Sequence, residues 1–134
     1  MNIAVRYCSK TKNGNTKKIA EAIAEGTGVK AISISEEPEL REKTDLLFLG
    51  GAPYANIMDP ALREYAESLD PALVSQAALF TTSNWSRRTV RSLKKILKAK
   101  GIPVYDDYFY AHMLSVDKKL EEAKEFGRNM AAGV

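Results

Sequence analysis

A chain of 134 residues, 45% hydrophobic and 28% charged, has apolar material for one core, so a single domain over residues 1–134 is expected. No stretch approaches the roughly 18 to 20 apolar residues of a membrane helix, nothing resembles a secretory h-region, and a cytoplasmic, soluble monomer is the expectation. One cysteine, Cys8, excludes an internal disulfide framework, one histidine, His112, leaves little for a soft-ligand metal site, and a net charge of +3 does not call for nucleic acid.

"NIAVRY" at residues 2–7 is a β-branched run that predicts a strand. From Asn15 or Thr16 the residues Ile19, Ala22, Ile23 and Ala24 keep to one side of a helix, which Gly26 and Gly28 are expected to close. "VKAISI", residues 29–34, reads as the second strand, and "SEEPELREK" after it is too short and polar for a secure helix. "DLLFLGG" runs apolar without alternation and predicts a strand buried on both faces. Asp59 before Pro60 starts a helix by cap chemistry, with Leu62, Tyr65, Ala66 and Leu69 at helical spacing.

"AALFTTS", residues 77–83, is a second strand of the doubly buried kind. A basic helix near residues 87–100 follows, with Val90, Leu93, Ile96 and Leu97 inward, and Gly101 ends it before the strand "PVYDDYFY". A last helix from about Ser115 turns Val116, Leu120, Ala123, Gly127 and Met130 inward. This alternation of strand and helix, with continuously apolar strands, predicts a three-layer α/β fold built of right-handed crossovers. Ligands in such folds bind beyond the carboxyl ends of the strands, where the connections 8–14, 51–58, 83–87 and 111–114 are expected to meet.

The first of these connections, within "YCSKTKNGNTKKIAEAIAEG", has the chemistry of an anion cradle. Unpaired N–H groups at Asn15 and Thr16 would face an anion, Ser9, Thr11 and Thr16 would add hydroxyls, and Gly14 would let the backbone come close. Lys17 and Lys18 stand in a first turn where the helix dipole disfavours cations, which a bound dianion would explain. A solvated loop with a serviceable cap accounts for the same residues.

Across this segment, "DLLFLGGAPY" and the order of elements, the chain resembles the short-chain flavodoxins, whose fingerprint after the first strand is roughly [ST]-x-T-G-x-T. It departs from that pattern in carrying Lys12 and Asn13 between Thr11 and Gly14, unless the motif starts at Thr11 with Asn13 in place of the central threonine. The resemblance implies a five-stranded parallel sheet in the order 2-1-3-4-5 with helices on both faces. It also implies FMN as cofactor, its phosphate held by Ser9, Thr11, Asn15 and Thr16. The loop "GGAPYANIMD" would cover one face of the isoalloxazine, with Pro53 leading into Tyr54 as a stacking plane and Ala55 and Asn56 near flavin N5. Against this, Tyr54 could lie on the helix behind a plain glycine turn. In "TTSNWSRR", Thr82, Ser83 and Asn84 would donate to flavin or ribityl oxygens; a lone tryptophan is more often core, but the polar neighbours of Trp85 favour a surface or site role, stacking on or near the flavin. His112 reads as a surface histidine without a site role.

The resemblance implies an electron carrier between redox proteins, with no catalytic residue and no metal. A small FMN-dependent reductase of the quinone or nitro-compound type is the alternative in the same fold. A further alternative uses Cys8 as a phosphocysteine nucleophile, although the arginine that a phosphatase loop needs six residues later is here Gly14. The basic helix lacks Asp and Glu, and either it is a solvated face or Arg87, Arg91, Lys94 and Lys98 dock an acidic redox partner.

Overall fold

The first strand, β1 (Ile3–Cys8), sends Ala4 and Cys8 to one side and Val5 and Tyr7 to the other, and all four are buried. In this computed structural model, residues 1–9, 14–54 and 57–133 are described, Tyr54 by its backbone alone. Helix α1 (Asn15–Thr27) follows and ends at Gly28, whose φ of +77° lets its N–H reach back to the carbonyls of Ala24 and Glu25. Gly26 does not close the helix as expected; it lies inside it, against the backbone of Lys124.

β2 is confined to Ala31–Ser33, shorter than the expected 29–34, because Val29 still donates to the α1 carbonyl of Ala24 and Ile34 opens a turn. The acidic connection to β3 (Leu46–Gly51) contains no helix, as its composition predicts. Glu37 of that connection pairs with Arg6 of β1, at 3.0 Å. An antiparallel ribbon, β4 (Pro53–Tyr54) and β5 (Ile57–Met58), occupies part of the stretch expected to be loop.

Helix α2 (Pro60–Ser68) starts as its cap chemistry dictates, the Asp59 carboxylate accepting from the Ala61 N–H at 2.8 Å. β6 (Ala77–Ser83) and α3 (Arg88–Ala99) match the periodicity closely. β7 (Val104–His112) runs two residues beyond the expected end, pairing Ala111 and His112 with Thr82 and Ser83. One 3₁₀ turn, Val116–Lys118, precedes α4 (Leu120–Ala132), so the last helix begins later than Ser115.

The sheet is parallel throughout, in the order β2-β1-β3-β6-β7. Among the sheet's own strands this is second, first, third, fourth, fifth; the inserted ribbon accounts for the different labels. Every residue of β3 and β6 is buried, since both faces are covered. One layer packs Ile19, Ile23 and Ala123 of α1 and α4 on Val5, Phe48 and Phe80. The other packs Leu62, Tyr65, Leu93 and Leu97 of α2 and α3 on Ala4, Leu47 and Leu79. The three layers inferred from alternation are present.

Candidate functional site

Beyond the carboxyl ends of β1, β3 and β6 lies a cavity of about 440 Å³. All four expected connections reach it: Ser9, Asn15 and Thr16 from the first, Ala52 and Pro53 from the second, Ser83, Asn84 and Ser86 from the third, and Met113 from the fourth. Thr82 adds to the wall from the end of β6. None of these side chains is ionisable. Among the described residues the wall offers hydroxyls, amides and backbone groups, and no general acid, base or thiolate.

At the first connection the N-terminus of α1 opens toward this space. Gly14 precedes the helix in an extended conformation (φ −72°, ψ 165°) open to any residue, and no side chain caps the helix among the described residues. Carboxylates are absent from its first turn, and its leading N–H groups have no intrahelical acceptor. The Asn15 amide donates to the Met113 carbonyl at 3.1 Å, tying this corner to the end of β7. The Thr16 hydroxyl is buried and shares a hydrogen bond of 2.8 Å with that of Thr82, either of them donating, so one hydroxyl proton of the pair stays available beside the backbone amides. Lys18 needs no bound dianion to explain it, because Asp117 pairs with it at 3.2 Å.

The third connection is held from β7. Tyr110 donates its hydroxyl to the Ser83 carbonyl at 3.0 Å and accepts the Trp85 N–H at 2.7 Å. Arg87 lies 3.4 Å above the Tyr110 ring and donates to the Trp85 carbonyl at 3.1 Å. These contacts fix Trp85 at φ +71°, a left-handed conformation costly for a bulky side chain. Its indole does not line the cavity and is not in the core; it leans on the His112 ring, centroids 4.7 Å apart.

His112 is thereby drawn next to the site. Its Nδ1 accepts the Leu114 N–H at 3.1 Å, so in the neutral ring the proton sits on Nε2, which donates to the Asn84 Oδ1 at 2.7 Å. The Asn84 amide therefore keeps its two N–H donors for another acceptor. Sequence reasoning missed His112, Ser86 and Met113 as parts of this region; the serine was visible in "TTSNWSRR", whereas the methionine carried no signal.

Ser9, Asn15, Thr16, Pro53, Ser83 and Asn84 are thus brought together as expected. Thr11, Lys12, Asn13, Ala55, Asn56 and the Tyr54 side chain lie outside the described residues. Cys8 is buried in the core beneath α2 and does not line this cavity. Among the described residues, no three His, Cys, Asp or Glu side chains gather as a metal site, and no helix is long and apolar enough to cross a membrane.

No protein-family model and no curated protein matches the sequence. Solved structures do match. A flavodoxin from the domain Archaea is 23% identical with a TM-score of 0.84, over 99% of this chain and 98% of that one. Oxidised flavodoxin 1 from Bacillus cereus is 19% identical with a TM-score of 0.81, over 100% and 99%. A flavone reductase is 14% identical with a TM-score of 0.73, over 98% of this chain and 62% of that one. At such identities the likeness is one of architecture, and it agrees with the strand order and the placement of the cavity: the chain has the flavodoxin fold.

Proposed function

We propose that this chain binds FMN noncovalently in the cavity and passes electrons between redox proteins. The observation that carries this is the start of α1, without a side-chain cap among the described residues, opening into a cavity whose described lining is neutral and hydrogen-bonding. Backbone N–H groups there suit a phosphate, hydroxyls and amides suit a ribityl chain and a flavin edge, and no carboxylate in the wall repels the anion. The residues present fit the group. The first-turn amides of Asn15 and Thr16 would hold the phosphate with Ser9, and Thr11 joins them on the strength of the resemblance. Ser83 and Asn84 would donate to flavin or ribityl oxygens, Asn84 with the N–H pair that His112 leaves over. Pro53, Tyr54, Ala55 and Asn56 would cover the ring.

FMN, when bound, supplies reversible one- and two-electron transfer. The chain orients it and screens it from water, and among the described residues the wall contains no ionisable group to deliver a proton to a substrate. That favours a carrier over a reductase, a distinction that turnover of quinones or nitro compounds with a nicotinamide donor would decide. Cytoplasmic location and a monomeric state belong to the same proposal.

Proline at the first helical position is tolerated, and the extended Gly14 is the kind of residue that precedes one readily. Asn15→Pro should therefore fold yet remove one amide donor, while Asn15→Ala keeps it; both lose the Met113 contact. A hydrogen bond to a charged group is worth about 1.5 to 3 kcal/mol, so FMN affinity should fall about tenfold to a hundredfold further in the proline variant. Riboflavin, lacking the phosphate, should bind the two variants alike. Equal losses for both ligands in a fluorescence titration would refute the phosphate assignment.

A further inference from the structure

Among the helices, α3 alone has no acidic residue. The others mix signs and use their cations locally, as in Arg63 with Glu67, Lys124 with Glu25 and Arg128 with Glu125. Of the four cations expected to dock a partner, two are engaged internally. Lys94 pairs with Asp106 at 2.8 Å, and this ammonium holds the Asp106 carboxyl below its ordinary range. Arg87 is spent on Tyr108, Tyr110 and the Trp85 carbonyl.

Arg91 and Lys98 belong instead with Arg88 and Lys95. All four are exposed, and none has an ion pair among the described residues. At about 100° and 1.5 Å per residue they fall within about 80° of arc and extend along about 15 Å of helix. The stripe begins where the third connection enters α3, at the end of the sheet that bears the cavity. The connections at that end expose three large apolar side chains: Trp85 is 73% exposed, Leu114 86% and Met113 47%.

We infer that this surface, apolar at the mouth of the cavity and basic along α3, docks the acidic face of a redox protein. Four like charges without close ion pairs, of which only Lys98 also feels Asp106, gain most from a carboxylate-bearing surface, which would steer the encounter and orient the complex. The apolar mouth supplies the dry centre that a protein contact needs. No aromatic residue interleaves the cations of α3, which speaks against single-stranded nucleic acid. The inference rests on the FMN proposal only for the electrons; docking is measurable without them.

The test uses an acidic plant-type ferredoxin as probe, with binding measured by calorimetry at low and at moderate salt. The parent should bind at low salt. Arg88→Gln, Arg91→Gln, Lys95→Gln and Lys98→Gln together should raise Kd at least tenfold and flatten the salt dependence. Lys30→Gln, Arg41→Gln, Lys118→Gln and Arg128→Gln, which remove the same charge elsewhere, should change Kd less than threefold. Trp85→Ala should raise Kd while leaving the salt dependence alone. Absence of binding by the parent at low salt, or equal losses in the two quadruple variants, would overturn the inference. So would stripe-dependent binding to phosphatidylserine vesicles or a single-stranded oligonucleotide that is tighter than binding to the ferredoxin. FMN titration of the same variants reports separately on the cofactor proposal, because none of the stripe residues lines the cavity.

Discussion

Phe48→Ala is expected to lower the unfolding free energy by about 3 to 5 kcal/mol. Phe48 stands in the middle of β3, fully buried, with Val5 of β1 and Ala78 of β6 as its register partners. Its ring meets Phe126 of α4 edge-on, centroids 6.0 Å apart at 69°. Truncation opens a void between a strand held by pairing on both sides and a helix held by its close contact with α1, so neither closes it freely. Phe126 is only partly buried, so Phe126→Ala should cost less. Urea unfolding with an unchanged m-value would measure both, and a loss below about 1 kcal/mol for Phe48→Ala would contradict the packing described here.

The second large effect is expected at the contact of α1 with α4. Helix propensity alone predicts that Gly127→Ala stabilises by about 1 kcal/mol. Packing predicts the opposite, since a Cβ at Gly127 would stand 2.5 Å from the Ile23 carbonyl oxygen and one at Gly26 would collide with that of Lys124. Those obstacles are backbone atoms with no rotamer to yield, so the helices would have to part along their length. A net loss of about 2 kcal/mol follows for either substitution, and the sum should not be additive, because one separation relieves both clashes. A lower urea midpoint in each single variant checks the sign.

What the sequence disclosed, and what it concealed, divides along the range of the forces involved. The limits of β6, the cap at Asp59 and the helix-free connection after β2 follow from local chemistry, and all were readable. Doubly buried strands also betrayed themselves by unbroken apolar runs. Gly26 looked like a stop signal because glycine is one locally; its actual role depends on Lys124, far along the chain. Lys18 looked misplaced at a helix start until Asp117 supplied its partner.

The site was legible as four connections and as a set of hydroxyls and amides, because chain order alone sends those connections to one end of the sheet. Individual side chains were less so. The polar neighbours of Trp85 pointed to a surface or site role, and the indole is exposed; its left-handed turn, fixed by Tyr110 and Arg87, and its rest against His112 were not legible. Nothing in the neighbourhood of Trp85 announces a tyrosine 25 residues away. The Thr16 hydroxyl was expected to serve a ligand, and its 2.8 Å hydrogen bond to Thr82 was not legible, because it depends on how α1 sits against β6.

The central claim is that the cavity holds FMN, and the visible spectrum of the purified protein mixed with FMN and passed through gel filtration tests it directly. Yellow absorbance eluting with the protein, saturating at one FMN per chain and accompanied by quenched flavin fluorescence, is the predicted result. A colourless protein peak, with FMN at micromolar concentration left unbound, would contradict it.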